Sequence, residues 1–187
     1  MNKIYTLSFV LLLAISLVLA QNTGAGEDDS KSNGLQIKIK SGSYLNSDGE
    51  QMQINAENEI KLKVGNVEAN SSLEIDQEQD NQNRTKLKIN LSNGRNAEIK
   101  IMPNTASERA IERLQLKNCN PDNNCTIQLK EVGNGNQTKV AYEIKAEKES
   151  RILGFIKTKM KVEAQVNAET GEVIQTKKPW WAFVAVE

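Results

Sequence analysis

The side chains that most often carry out catalysis are scarce in this chain. It has 187 residues and contains no histidine, which excludes Ser-His-Asp and Cys-His catalysis, histidine metal sites and the commonest general base. Two carboxylates could still perform glycosidase chemistry, but the acidic residues fall in loops or at exposed alternating positions of predicted strands. No glycine-rich, phosphate-cradling loop occurs. We therefore predict that the protein is not an enzyme and uses no cofactor.

Cys119 and Cys125, the two cysteines of the chain, lie close together in the segment CNPDNNC. In an exported protein such a pair predicts a disulfide, and closing so short a loop stabilises a fold by about 2–2.5 kcal/mol. Free thiols or a redox-active pair are the alternatives, although redox pairs usually have tighter spacing. Two cysteines without histidine do not supply a zinc site, so we predict no metal.

The C-terminal tail contains the strongest candidate for a contact surface. The tail contains three aromatic residues, Trp180, Trp181 and Phe183, which include both tryptophans of the chain. They lie beside two cations, Lys177 and Lys178. Aromatic side chains flanked by cations are typical of protein interfaces and of the membrane interface. The alternative is that one tryptophan closes the end of the core while the tail adds an edge strand. Both can hold, because successive residues of an extended segment point to opposite sides.

Two further surface features remain open between a functional and a structural interpretation. Lys157, Lys159 and Lys161 form a basic row that could engage an acidic partner, or simply keep a strand soluble and unpaired. Five N-x-Ser/Thr sequons could carry glycans that shield loops, or could all remain unmodified; their asparagines are Asn70, Asn83, Asn90, Asn124 and Asn136.

The N-terminus predicts export. Residues 1–20 carry Lys3, then an apolar run, then the small residue Ala20 at a plausible cleavage position, which is the pattern of a signal peptide. The alternative is an uncleaved helix that tethers the chain to a membrane. Residues 21–33 predict a flexible leader with an acidic cluster, Glu27-Asp28-Asp29. Basic and acidic residues balance at 24 each, which argues against a nucleic-acid partner.

Apolar residues recur at every second position through residues 34–102, which predicts several short antiparallel strands. One turn also permits a prediction of register. A two-residue turn at Asn93-Gly94 would send the apolar rows of the flanking strands to opposite faces. A three-residue loop with left-handed Gly94 instead pairs Ile89 with Ala97 and Leu87 with Ile99. Because a slip of one residue moves every side chain to the other face, we predict the three-residue loop.

One helix is predicted, at about residues 105–116. Thr105 and Glu108 fit a capping box, and Ala106, Ala110 and Leu114 share one face. At about three turns the helix would be marginal alone, so we expect its apolar face to pack on the sheet. The chain should therefore adopt an α+β fold: antiparallel sheet with one main short helix, after an N-terminal signal helix.

The clearest hairpin is predicted over residues 156–178. Residues 156–166 alternate strictly between apolar and polar side chains; Asn167 to Gly171 form a turn, and residues 172–178 return. This order of elements, with Ala141-Tyr142-Glu143-Ile144 before the hairpin and Val166 to Ile174 within it, resembles the PepSY family of export-associated modules. The resemblance implies that residues 103–187 are an α+β module of a kind proposed to bind or restrain peptidases.

These observations lead to a functional hypothesis with one alternative. We expect an exported, non-enzymatic binding module that contacts a protein or peptide at the cell envelope. One such function would be to modulate an envelope or secreted peptidase. A membrane would be contacted only through the N-terminal segment, if that segment is uncleaved. The alternative is a structural or glycosylated envelope component without a discrete ligand.

Overall fold

The structure is a computed structural model that describes residues 37–119 and 124–186. The predicted signal peptide and the whole of the predicted leader, with its acidic cluster Glu27-Asp28-Asp29, lie outside the described residues. Among the residues that are described, no helix is both long and apolar enough to cross a lipid bilayer.

The described residues form two sheets and one α-helix. The smaller sheet contains, in spatial order, β1 (Ile37–Lys38), β6 (Ile75–Gln79), β7 (Thr85–Asn90) and β8 (Asn96–Ile99). The larger sheet contains β12 (Val173–Lys177), β11 (Ile156–Asn167), β10 (Lys139–Ile152), β9 (Thr126–Val132), β5 (Val67–Ser71), β4 (Ile60–Val64), β3 (Gln51–Ala56) and β2 (Gly42–Leu45), with β13 (Ala185–Val186) beside β10. Among these strands all pairs are antiparallel except β5 with β9. The predicted α+β class, dominated by antiparallel sheet, is confirmed.

The alternating C-terminal segment is a strand, as predicted. On β11 the side chains of Met160, Val162 and Val166 are buried, because every second residue of a strand faces the core. The following turn also matches the prediction. The carboxamide oxygen of Asn167 accepts the backbone N–H of Glu169 at 2.8 Å, and Gly171 adopts the left-handed conformation with φ of 74°.

The register predicted for the turn at residues 92–94 is confirmed. Ile89 lies opposite Ala97 and Leu87 opposite Ile99, and all four side chains are buried. The loop closes through the N–H of Gly94, which donates to the carbonyl of Leu91 at 2.8 Å. Gly94 has φ of 81°, a conformation that costs glycine little.

The predicted helix is present as α1, Pro103–Leu114, two residues earlier at each end than the predicted bounds of about 105–116, whereas the predicted capping box is wrong. Met102 occupies the N-cap position in an extended conformation, and no side chain caps the first turn. Pro103 sets the start, because its fixed φ suits the first helical position and its missing N–H would have had no partner there. At the other end, left-handed Gln115 stops the helix, and the N–H of Leu116 reaches back to the carbonyl of Ile111 at 2.9 Å.

The two sheets and the helix share one hydrophobic core. Helix α1 contributes Ala106, Ala110 and Leu114, which are fully buried. Strands from both sides of residue 102 meet in the larger sheet, where Asn70 of β5 lies opposite Gln128 of β9. The described strands accordingly belong to one compact unit.

Candidate functional site

The aromatic tail forms a short 3-10 helix, Trp180–Val184, rather than an extended segment. Trp180 is 83% exposed and Phe183 is 79% exposed, whereas Trp181 is half-buried and packs against the core. The tandem tryptophans still divide, one inward and one outward, but through the turn of a 3-10 helix and not through the extended conformation on which that expectation depended. The tail also supplies an extra strand, since β13 pairs with β10.

A second apolar segment, which the sequence analysis did not single out, lies at the same end of the molecule. It is the tip of the hairpin between β10 and β11, where Leu153 is 65% exposed, Phe155 72% and Ile156 50%. We call the five side chains of the tip and the tail the apolar end: Leu153, Phe155, Ile156, Trp180 and Phe183. Of the six large hydrophobic side chains exposed among the described residues, only Leu45 lies elsewhere.

The sequence did contain a signal for the hairpin tip. Ile152, Leu153, Phe155 and Ile156 surround Gly154 without a polar residue, between Arg151 and Lys157. Turns between strands usually carry polar residues, so an apolar turn flanked by cations is unusual. Its proximity to the tail, however, depends on the pairing of β13 with β10, which no local pattern indicates.

The two lysines that precede the aromatic tail differ in their surroundings. The Nζ atom of Lys177 forms an ion pair with Glu163 at 2.6 Å. Lys178 is exposed and borders a surface cleft of about 380 Å³ whose other charged lining residues include Lys145, Lys161 and Glu147. The predicted basic row is also exposed; within it the Nζ atom of Lys159 lies 3.9 Å from Glu147.

Glu143 on β10 corrects the expectation that every acidic residue is exposed, because its side chain is only 4% exposed. Desolvation raises the pKa of this carboxyl group, but the hydrogen bonds and charges of Lys130 and Lys145, each with Nζ at 2.6 Å, outweigh it and lower the pKa to about 2. Glu143 in turn raises the pKa of Lys145. Gln165 also donates to the carboxylate at 3.3 Å. Glu143 is thus an ionised carboxylate held between two lysines.

The cysteine pair forms the predicted disulfide, between Cys119 and Cys125. It joins the chain after α1 to the start of β9, and is consistent with an oxidising compartment. In the ranges 37–119 and 124–186, no three acidic or sulfur-containing side chains come together in a group that could hold a metal ion.

The five sequon asparagines occupy two kinds of position. Four are exposed: Asn83, Asn90, Asn124 and Asn136. The side chain of Asn90 faces solvent as predicted and donates to Asp76 at 3.2 Å. Asn70, in contrast, is half-buried in the larger sheet between Lys61 and Gln128, where a glycan would collide with the neighbouring strands.

Comparison of the chain with family models, with curated proteins and with solved structures finds no match. The resemblance to the PepSY family therefore stays a prediction.

Proposed function

We propose that the chain is an exported, non-enzymatic binding module that engages a component of the cell envelope through its apolar end. The observation that carries the proposal is the gathering of five large, exposed hydrophobic side chains, from two segments distant in sequence, at one place. Soluble proteins seldom leave such a patch uncovered unless it binds something. A peptidase as the partner, which the PepSY resemblance implies, stays a narrower prediction.

The non-enzymatic part of the proposal rests on the side chains available for chemistry. The chain contains no histidine, and Glu143, the enclosed carboxylate, is held in its ionised form by Lys130 and Lys145. Such a group does not donate a proton at ordinary pH.

A photo-crosslinking experiment tests the proposed contact surface. Purified full-length protein with benzoylphenylalanine at Phe183 is illuminated in the presence of isolated envelope from its own cells. The matched control has the same group at Gln53, an exposed residue of β3. We expect adducts at position 183. Excess wild-type protein should abolish them by competition, whereas excess L153N/F155S/F183S variant should not. Adducts no more abundant at 183 than at 53 would overturn the proposal.

A structural, glycosylated envelope component is the second candidate, because four sequon asparagines are exposed. Intact-mass measurement of protein from its native cells, before and after glycan removal, tests it. Added mass at Asn83, Asn90, Asn124 or Asn136 would support this candidate. An unmodified polypeptide mass would remove it.

A further inference from the structure

Backbone pairing holds the two segments of the apolar end together. Ile152 lies opposite Ala185, and Arg151 opposite Val186. The N–H of Leu153 donates to the carbonyl of Val184 at 3.1 Å. The last residue of the 3-10 helix is thereby bonded to the first residue of the hairpin turn, so the tip and the tail form one surface.

The 3-10 helix presents its outer aromatic side chains along one edge. Such a helix has three residues per turn, so side chains at positions i and i+3 eclipse one another. Trp180 and Phe183 have this spacing and are both largely exposed, while Trp181 and Ala182 pack against the core. The packed residues fix the orientation of the helix, and the exposed pair points away from the fold.

Leu153 occupies the turn in a conformation that disfavours its side chain. Its φ is 52°, in the left-handed region where a bulky side chain is an outlier and where asparagine or glycine is usual. Leu153 is also largely exposed, so the isolated fold gains little from a leucine here. A leucine side chain is unfavourable here both in the left-handed backbone conformation and in contact with water, and we infer from this that it has a role in binding.

The exposed charges nearest the apolar end are mainly cationic, although Glu149, which is also exposed, lies two residues before Arg151 on β10. Arg151 and Lys157 lie directly opposite one another across the hairpin, and like charges at such positions repel. Both are exposed, and no ion pair within the described residues joins either of them to a carboxylate. Lys178, two residues before Trp180, adds a third exposed cation. An anionic partner would relieve this repulsion.

We propose that the partner of the apolar end is an anionic lipid bilayer, into whose interfacial layer Leu153, Phe155, Trp180 and Phe183 insert while the cations bind lipid headgroups. Tryptophan and phenylalanine flanked by lysine and arginine are the residues that favour this layer. The inference rests on the proposed function and names the class of partner. It makes the folded domain itself a membrane contact, in addition to any contact through the N-terminal segment.

The geometry favours a bilayer over a peptide or a second copy of the chain. The apolar end is a hairpin turn and a helix edge, and none of its five side chains lines the cleft beside Lys178 or the cleft beside Ile39. In a symmetric dimer through this end, the Arg151–Lys157 pairs of the two copies would approach and repel.

The tryptophans allow a test on the full-length chain. Both tryptophans of the sequence, Trp180 and Trp181, lie in the tail, so tryptophan emission reports on this end alone, whatever the N-terminal segment does. Vesicles of phosphatidylcholine, with or without phosphatidylglycerol, are titrated into the protein. We expect a shift of emission to shorter wavelength and quenching by lipids brominated on the acyl chain, with tighter binding to the anionic vesicles and weaker binding at high salt.

Matched variants identify the residues responsible. We expect L153N/F155S/F183S to bind vesicles about tenfold more weakly or worse, because it removes three inserting side chains, whereas Leu45→Ser, at the other edge of the larger sheet, should bind as wild type does. R151Q/K157Q should lose the preference for anionic vesicles, while K61Q/K63Q, with the same change in net charge on β4, should keep it. Circular dichroism checks that each variant is folded.

Two outcomes would overturn the inference. The first is tryptophan emission that neither shifts nor is quenched with either vesicle composition. The second is equal binding by the L153N/F155S/F183S variant and wild type. If crosslinking at Phe183 then yields only protein adducts, the lipid inference fails while the proposed binding function stands. If no specific adducts of any kind form at Phe183, both the lipid inference and the proposed binding function fail.

Discussion

The hydroxyl of Tyr142 donates a hydrogen bond of 2.9 Å to the carbonyl of Ile101. Tyr142 lies on β10 and is fully buried, while Ile101 lies between β8 and the first turn of α1. The bond therefore joins the larger sheet to the connection between the smaller sheet and the helix. Burial raises the pKa of this phenol far above its ordinary value, so the hydroxyl remains a donor across the accessible pH range.

Replacing Tyr142 by phenylalanine should lower the free energy of unfolding by about 1–2 kcal/mol, because the carbonyl of Ile101, a half-buried residue, would lose its donor. Chemical denaturation measures the change. Tyr44→Phe is the control, since the Tyr44 hydroxyl makes a similar 3.0 Å bond to the carbonyl of Lys40 at an exposed site; its effect should stay within about 0.5 kcal/mol. Equal effects of the two substitutions would contradict the structural role given to Tyr142.

The elements that follow from local pattern were predictable, and those that depend on distant pairing were not. The register at Gly94 followed from the requirement that both apolar rows share a buried face. The helix start was misplaced because two signals competed, the capping pattern at Thr105 and the proline at Pro103, and the proline prevailed. The alternating pattern of β10 placed Glu143 on the face of the strand away from the core. It could not show that a lysine of β9 and a lysine of β10 cover the Glu143 side chain. The apolar end requires β13 to find β10, and no local residue pattern encodes that pairing.

The pH dependence of stability should contain a contribution from Glu143. Its pKa in the folded protein is about 2, below the ordinary value of 4.5, so the stabilisation is complete above about pH 4.5 and is lost as the pH falls towards 2. Near neutral pH, Glu143→Gln should cost about 1–2 kcal/mol, a figure reduced for the solvent that screens the partly exposed lysines. Denaturation at a series of pH values measures both effects.

Glu149→Gln provides the control for Glu143, because Glu149 lies on the same face of β10 but is exposed. The Glu149 variant should follow the wild-type stability profile between pH 2 and 5 within about 0.5 kcal/mol. The Glu143 variant should differ from wild type at neutral pH and converge with it at the acid end. Parallel profiles for the Glu143 variant and wild type would show that the Lys130–Glu143–Lys145 group does not stabilise the fold.

Gly171 is constrained by its backbone and by a neighbour. Its φ is 74°, its carbonyl accepts a 3.0 Å hydrogen bond from Nη1 of Arg109, and an added Cβ atom would lie 2.8 Å from Cζ of Arg109. Gly171→Ala should therefore cost about 1 kcal/mol for the left-handed backbone and about 0.5–1 kcal/mol more for displacing the arginine. Thermal or chemical unfolding gives both values.

Gly94→Ala separates the two costs at Gly171, because Gly94 has a similar φ of 81° and open space around its Cα atom. The extra destabilisation at Gly171 should disappear when Arg109 is replaced by alanine, as a double-mutant cycle would reveal. If the excess persists without Arg109, the contact between α1 and the Asn167–Gly171 turn is not its cause.

The strained turn at Leu153 yields the prediction that separates stability from binding. Leucine at φ of 52° costs the fold about 1 kcal/mol that asparagine largely avoids, and the side chain is too exposed to offset this by burial. Leu153→Asn should therefore raise the free energy of unfolding by about 0.5–1 kcal/mol while weakening vesicle binding. Phe155→Asn removes an exposed apolar side chain without relieving a left-handed φ, so its unfolding free energy should change by less than about 0.5 kcal/mol. Destabilisation by Leu153→Asn would mean that this leucine supports the fold, and would assign its exposure to packing rather than to contact with a partner.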